Sequence, residues 1–152
     1  MHTLIKNLVA FLYTKIDDPN DKMRGEGREW IIEGFPKLQE RIYPVIGVYN
    51  AGMVPEPLGL GTALYKDTLQ LRMGIFCDSK GQYNVNETEC NDGWDVVQAI
   101  YDFIRPFIEQ QDAQFVTWGW TRPIPRDISS YIEDDAVGYL LNWEVRRWNR
   151  ES

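Results

Sequence analysis

The amino-acid sequence predicts an α+β fold in which a mostly antiparallel sheet of about four strands packs against two helices. Two segments repeat apolar residues at helical spacing, and two others alternate apolar and polar residues as strands do. The order along the chain is helix, strand, strand, helix, strand, strand, and adjacent strands favour antiparallel pairing. The length of 152 residues suits a single core. We therefore predict one domain spanning 1–152.

The first predicted helix covers 3–16, where apolar residues recur every three or four positions and Thr3 can cap the start. An aspartate-rich run, Asp17–Asp21, ends it. In the next segment, 23–35, Gly25 and Gly27 favour a loop, whereas the Trp30–Ile32 triplet favours a short buried piece. Both alternatives remain open there.

Two strands are expected in the middle of the chain. The first runs from about Val45 to Asn50, directly after Pro44, where a missing N–H is tolerable. The second lies within Leu69–Cys77, where apolar and other residues alternate. Between them, 51–62 holds two prolines and three glycines and is predicted to be a loop. Loops of this length are often functional, and a solvated connection is the alternative.

The second predicted helix spans 94–108, after a polar loop that begins at Asp78. Its apolar stripe is broad, and either Asn91 or Asp92 can cap its first turn. Pro106 should kink or loosen the last turn because it lacks a backbone N–H.

The last third of the chain is predicted to contain two strands and a loop. We expect a strand at 113–121, with a bulge near Gly119, and a loop with two prolines at 122–135. The final strand, 138–148, has two distinct faces. One face is expected to pack under the helices and is formed by Tyr139, Leu141, Trp143 and Val145. The other face is expected to be polar and open to water, or to meet a neighbouring subunit, and is formed by Asn142, Glu144 and Arg146.

Composition excludes several classes of function. The net charge of −7 argues against a broad nucleic-acid-binding surface, which needs clustered Lys and Arg. The single histidine, His2, argues against most histidine-based metal sites and against a Ser-His-Asp triad. The N-terminal stretch lacks the features of a secretion signal, and no segment has transmembrane length. Cys77 and Cys90 form no CxxC motif; two lone thiols, buried or on the surface, are favoured, and a disulfide is the alternative. For Cys77 a packed thiol is expected.

One carboxylate cluster deserves consideration as a metal site. Glu133, Asp134 and Asp135 could hold Mg²⁺ or Ca²⁺ if their side chains converged, which would suit a metal-dependent hydrolase. Sequence neighbours usually point apart, and no Lys or His nearby completes a hydrolytic site. We therefore expect no enzyme, no cofactor and no bound metal.

Charged residues near the C-terminus are candidates for contacts between subunits. Arginines on the final strand and before it can pair with the acidic run of a neighbouring chain, or can simply protect a sheet edge against random pairing. The candidate interface residues are Arg122, Arg126, Glu133, Asp134, Asp135, Glu144 and Arg146, joined by Pro55, Pro57, Leu58 and Leu60 of the predicted loop.

The element order resembles a known family. An N-terminal helix is followed by a strand that starts at Tyr43-Pro44-Val45-Ile46-Gly47-Val48 and by a Gly/Pro loop. Then come the alternating strand of 69–77, a polar loop, the long helix of 94–108 and two closing strands. This order is similar to that of the tail terminator and tail-completion proteins at the head–tail neck of long-tailed viruses of bacteria and archaea. The resemblance covers nearly the whole chain.

The resemblance implies a structural virion protein without catalytic residues, assembled in the host cytoplasm. Such proteins form rings, usually hexamers, that end the tail tube, join it to the head connector and leave a channel through which DNA passes without specific binding. The expected partners are therefore other copies of the chain, the tail tube protein and the head connector. A small protein-binding adaptor domain, unrelated to virions, is the alternative.

Overall fold

A computed structural model of the chain describes residues 2–24, 29–38, 42–57, 64–133 and 135–150. The elements are α1 His2–Tyr13, α2 Asp21–Arg24, β1 Ile31–Glu33, β2 Val45–Pro57, β3 Leu64–Asp78, α3 Gly93–Glu109, α4 Asp112–Thr117, β4 Ile124–Glu133 and β5 Ala136–Arg150. Within these ranges the fold is α+β, as predicted, with a five-stranded sheet of order β1-β2-β3-β5-β4. The short β1 runs parallel to β2, and every other neighbouring pair is antiparallel.

The core lies between the two long helices and one face of the sheet, which we name the inner face. Alternate residues of β3 and β5 supply this face, and α1 and α3 supply the apolar stripes that cover it, because strand and helix periodicities each place one set of side chains on one side. The prediction for the apolar face of the final strand is confirmed: Leu141, Trp143 and Val145 are buried there, and Tyr139 packs against them. The prediction that the other face is open to water is wrong for Asn142 and Glu144, which are 7% and 9% exposed and bind neighbouring side chains.

Both predicted helices are present with nearly the expected bounds. The side chain of Asp92 accepts a hydrogen bond from the Asp95 N–H at 2.8 Å, which caps the start of α3. The helix continues through Pro106 to Glu109. The first helix ends at Tyr13, and residues 14–16 form a turn that keeps Ile16 in the core.

The opposite face of the sheet, which we name the outer face, carries an aromatic cluster at one end. Phe76 is fully buried beneath Phe35 and Tyr131, with ring centroids 5.3 Å and 5.2 Å away. Glycines make room for these rings: a Cβ at Gly138 would lie 2.3 Å from the Ile75 carbonyl oxygen and 2.7 Å from Cδ1 of Phe76. The aromatic rings can therefore pack here only because glycine, which has no side chain, lies beneath them.

The prediction of a strand at 113–121 is wrong, because α4 occupies Asp112–Thr117 and a turn follows. Phe115 is buried and packs edge-on against Trp118, three positions later, with ring centroids 5.3 Å apart. That spacing brings two aromatic side chains together on a helical turn but would place them on opposite faces of a strand.

The prediction of a loop at 122–135 is also wrong, because β4 spans Ile124–Glu133. The prolines that suggested a loop, Pro123 and Pro125, lie just before and at the start of the strand, where a missing N–H is tolerated. After a register shift between Pro125 and Ile128, the strand pairs regularly with β5. This pairing makes β5 an interior strand, so its charged residues do not protect a sheet edge.

The predicted loop at 51–62 is a strand over its first half. β2 continues to Pro57, paired with β3 throughout and interrupted only by a register shift between Asn50 and Gly52. Pro55 and Pro57 are tolerated because β1 pairs only with Ile46–Val48, so the far side of β2 is a sheet edge at the prolines. Leu58 and Leu60 lie outside the described residues.

Candidate assembly surfaces

The strands β2, β3 and β5 extend beyond the helices. β3 and β5 have 15 residues each, which corresponds to a length of about 50 Å at roughly 3.3 Å per residue. The 17 residues of α3 cover only about 25 Å at 1.5 Å per residue. The excess strand length forms an extension that we name the arm, made of residues 54–57, 64–68 and 146–150.

Two large apolar side chains are exposed on the arm. Val54 is 64% exposed and Trp148 is 65% exposed. Both side chains lie on the outer face. Trp148 pairs with Lys66 of β3 and Val54 pairs with Thr68 of β3, and paired residues point to the same side of the sheet. Lys66 and Thr68 alternate along β3 with the residues that point into the core, so they point outward. Lys66 also forms an ion pair with Glu56 at 3.4 Å. The arm therefore presents apolar area bordered by one ion pair.

On the inner side of the arm, a buried aspartate connects the arm to the core of the domain. Asp67 is 3% exposed and accepts a hydrogen bond from the Arg147 guanidinium at 3.1 Å. The same guanidinium lies 4.6 Å from the ring centroid of Trp120, in cation–π geometry. Trp120 is itself in the core cluster. These contacts hold the base of the arm in a defined position.

Next to the arm, Glu144 accepts hydrogen bonds from two arginines, Arg126 and Arg146. Burial alone would raise the pKa of Glu144, but the hydrogen bond from Arg126 and the positive charges of both arginines outweigh it, so the pKa is lowered. Two cations share one carboxylate, and the buried Nε of Arg146 has no hydrogen-bond partner among the described residues. We name Arg126, Glu144 and Arg146 the arginine patch; it keeps a net positive charge.

A polar row continues from the arginine patch across the outer face. Arg72 donates to the side-chain oxygen of Asn142 at 2.6 Å, and the Asn142 amide donates to Asp127 at 3.1 Å. The Arg72 guanidinium also lies 6.0 Å from the ring centroid of Tyr49. The polar side chains on the outer face therefore hold one another in position through these contacts.

A second charged surface lies along α3 and the loop before it. Its carboxylates are exposed, and its cations are Lys80, which is exposed in the loop, and Arg105, which pairs with Glu109. We name this surface the acidic ridge; it comprises Glu87, Glu89, Asp92, Asp95 and Asp102. Because α3 covers the inner face and the arginine patch lies on the outer face, the two charged surfaces are on different sides of the sheet.

The predicted interface residues are only partly brought together. Arg126, Glu144 and Arg146 form one network, so these three charges pair within the chain. Arg122 is exposed in the turn before β4. Glu133 ends β4, and Asp135 lies in the following turn, where its carbonyl oxygen accepts from Ser79 N–H at 2.7 Å. Asp134 lies outside the described residues.

The carboxylate cluster considered as a metal site includes Asp134, which lies outside the described residues. Among the residues that the structure describes, no group of three or more His, Cys, Asp or Glu side chains could hold a metal ion. Glu133 accepts a hydrogen bond from the Tyr131 hydroxyl.

Both thiols are packed. Cys77 is fully buried, and burial, followed by the nearby negative charge of Asp78, raises its pKa well above the ordinary thiol range. Burial also raises the pKa of Cys90, which is 4% exposed. Because the thiolate is the reactive form, neither side chain is placed as a nucleophile.

Four exposed apolar residues were not singled out from the sequence. Val54 and Trp148 lie on the arm, and Ile128 and Ile132 lie on β4, 39% and 71% exposed. The available signal was alternation, with Ile128, Ser130 and Ile132 on one side of a strand. The prolines before this pattern in β4, and those within β2, favoured a loop and led to the wrong prediction for both segments.

No helix in the described ranges is both long and apolar enough to cross a membrane. No protein-family model matches this chain, and no curated protein sequence matches it.

Proposed function

We propose that this chain is a structural subunit that assembles head to tail into a closed ring at the head–tail neck of a long-tailed virus. In this role the ring ends the tail tube, joins it to the head connector and leaves a channel for DNA. The observation that carries the proposal is the arm, which projects past the helices with Val54 and Trp148 exposed. The two side chains lie on the same face of the arm, on strands that flank β3. Tryptophan is enriched among the residues that dominate interface energetics.

The second copy of the chain is the expected occupant because its own surfaces are complementary in charge. The arginine patch beside the arm has excess positive charge, and the acidic ridge on α3 has excess negative charge. A contact between the patch of one copy and the ridge of the next joins two different surfaces, which is the heterologous geometry that generates rings when the rotation closes.

The overall charge supports passage of DNA through such a ring. A net charge of −7 repels phosphates over most of the surface, so a duplex can slide without being held. The virion location, the tail tube and the head connector rest on the resemblance in element order described above. The ring itself rests on the arm and on the two charged surfaces.

The experiment is a measurement of mass in solution by light scattering, followed by negative-stain electron microscopy. We expect rings of about six copies of the 17.8 kDa chain, with a central hole. Trp148→Ala should shift the population toward monomer, whereas Val116→Ala should not, although Val116 on α4 is equally exposed at 65%. Arg146→Glu should also weaken assembly without changing the circular dichroism of the monomer.

Two results would contradict the proposal. A chain that stays monomeric at high concentration and low salt, where the patch and ridge attract most strongly, has no self-assembling ring. Rings that persist unchanged in both Trp148→Ala and Arg146→Glu would show that the arm and the patch are not the contact. A monomer that binds another protein through the arm would favour the adaptor alternative.

A further inference from the structure

Within the described residues, two stretches of sheet edge, at β1 and at β2, are blocked by the chain itself. At β1, the Tyr13 hydroxyl donates to the Ile31 carbonyl at 3.1 Å and accepts from the N–H groups of Trp30 and Ile31 at 3.0 and 3.1 Å. These backbone groups are therefore satisfied without a further strand. A side-chain hydroxyl closes this edge as a covering element would.

The edge of β2 beyond its pairing with β1 is blocked in another way. A register shift interrupts the strand between Asn50 and Gly52, and the Gly52 N–H donates to the Asn50 side chain at 2.8 Å. Farther along, Pro55 and Pro57 have no N–H to offer. Bulges and prolines are the usual devices by which proteins prevent edge-to-edge pairing.

None of the residues that the structure describes closes the edge of β4 over its second half in this way. β4 pairs with β5 on one side, and no strand of the described residues pairs with its other side. The segment 128–132 contains neither proline nor charge, and the register shift lies before it. All residues of β4 are exposed except Ile124 and Tyr131, which are partly buried.

Apolar side chains lie beside this open edge. Ile128 pairs with Leu141 and Ile132 with Val137, so both isoleucines point to the inner face. α3 packs over β3 and β5, and it leaves Ile128 39% and Ile132 71% exposed. A strand added beside β4 would cover these side chains and would extend the sheet under the flank of α3.

The charges around β4 indicate what kind of strand fits. Acidic residues flank the segment at both ends, with Asp127 before it and Glu133 and Asp135 after it. If β4 paired with β4 of a second copy over 127–133, Asp127 would lie opposite Glu133, and like charges directly opposite are destabilising. A second copy is therefore disfavoured, and basic residues are favoured in the incoming strand.

We propose that the free edge of β4 is a docking site for an extended segment of a different protein, which adds a sixth strand to the sheet. The segment carries apolar side chains toward Ile128 and Ile132 and a lysine or arginine beside Glu133. Backbone hydrogen bonds supply affinity in this mode of recognition, and alternate side chains supply specificity. This inference does not depend on the ring, because the segment 128–132 contains no residue of the arm or of the arginine patch, whose Arg126 lies at the register shift in β4, before this segment.

The test uses a synthetic peptide of alternating valine and threonine that ends in two lysines. Hydrogen–deuterium exchange is measured over 128–133 with and without the peptide. We expect exchange there to slow by at least about tenfold for amides that gain a partner, a change equivalent to about 1.4 kcal/mol. A peptide with a central proline should give no protection, and one with glutamates in place of lysines should bind more weakly.

Matched variants locate the effect. Ile132→Lys places a charge on the proposed contact and should abolish protection, whereas Val116→Lys changes an equally exposed residue on α4 and should not. Unchanged circular dichroism shows that each variant folds. The proposal is overturned if the lysine peptide protects no part of 128–133, or if the proline peptide protects as well. Protection that appears without peptide as the concentration rises, together with a doubled mass, would assign the edge to a second copy and would also overturn it.

Discussion

Replacing Arg24 by methionine should strongly destabilise the protein, because this guanidinium is buried and fully engaged. Arg24 is 3% exposed and donates twice to the Asp18 carboxylate, at 2.6 and 3.1 Å. It also donates to the carbonyl oxygens of Ile42 and Pro44, the latter at 2.7 Å. One side chain therefore ties α2 to the segment that leads into β2.

The expected cost follows from what the substitution leaves behind. The Asp18 carboxylate is only 16% exposed, and in the variant it keeps the Asn20 N–H at 2.9 Å but loses its cation. Removing one partner of a buried ion pair costs about 3–5 kcal/mol. For a chain of this length, about 4 kcal/mol lowers the melting temperature by roughly 10 °C.

Urea unfolding, followed by fluorescence and circular dichroism, measures this cost, and a double-mutant cycle isolates the pair. Asp18→Asn removes the charge that Arg24 neutralises, so the double variant should cost about 1–3 kcal/mol less than the two single changes added together. Lys80→Met, at an exposed position, is the control and should lie within about 0.5 kcal/mol of the parent. A loss below about 1 kcal/mol for Arg24→Met would refute this network as a source of stability.

Three further predictions concern the thiols, the arginine patch and the aromatic cluster. Cys77 and Cys90 should react with a disulfide reagent at least about a hundredfold more slowly in the native protein than after unfolding in urea, because both are buried with raised pKa values; fast native labelling would contradict this. The pKa of Glu144 is lowered from 4.5, so its contribution to stability is present above that value and is lost as the pH falls through the folded-state pKa; Glu144→Gln should flatten the acid limb of stability measured between about pH 7 and pH 3. Gly138→Ala should cost about 1–3 kcal/mol in urea unfolding, because its Cβ would lie 2.3 Å from the Ile75 carbonyl oxygen; an unchanged midpoint would show that the strand shifts freely there.

Capping residues and hydrophobic periodicity predicted the elements whose structure depends mainly on residues close together in the chain. The α3 helix was evident because Asp92 caps it and one apolar stripe runs its length, and β5 was evident because its alternation is unbroken. The sequence of α4 was misread because Trp118 and Trp120 resemble the alternating aromatics of a strand, although Phe115 and Trp118 pair at helical spacing. In β4, upstream prolines outweighed a short alternating pattern.

The contacts of the candidate site were harder to predict from the sequence than the fold was. Arg126 reaches Glu144 only because β4 pairs with β5 after a register shift, and no local pattern predicts that pairing. The burial of Asp67 beside Arg147 likewise requires the register of β3 against β5. Residues 80 positions apart in the chain become a partly buried pair through sheet topology alone. Contacts of this kind become visible only when the strand order is known.

The arm alone does not make a strong contact between two copies. Covering the exposed parts of Trp148 and Val54 would contribute on the order of 4–5 kcal/mol, from roughly 25 cal/mol per Å² of apolar area. Association costs an estimated 4–15 kcal/mol in lost freedom of motion, so the two terms roughly offset each other. The contact between the arginine patch and the acidic ridge must then add to the arm, and a single pairwise contact stays weak. Ring closure changes this balance, because the last subunit makes two contacts for one loss of freedom. A neck ring built on this chain should therefore form as a complete ring in equilibrium with monomers, with open intermediates scarce.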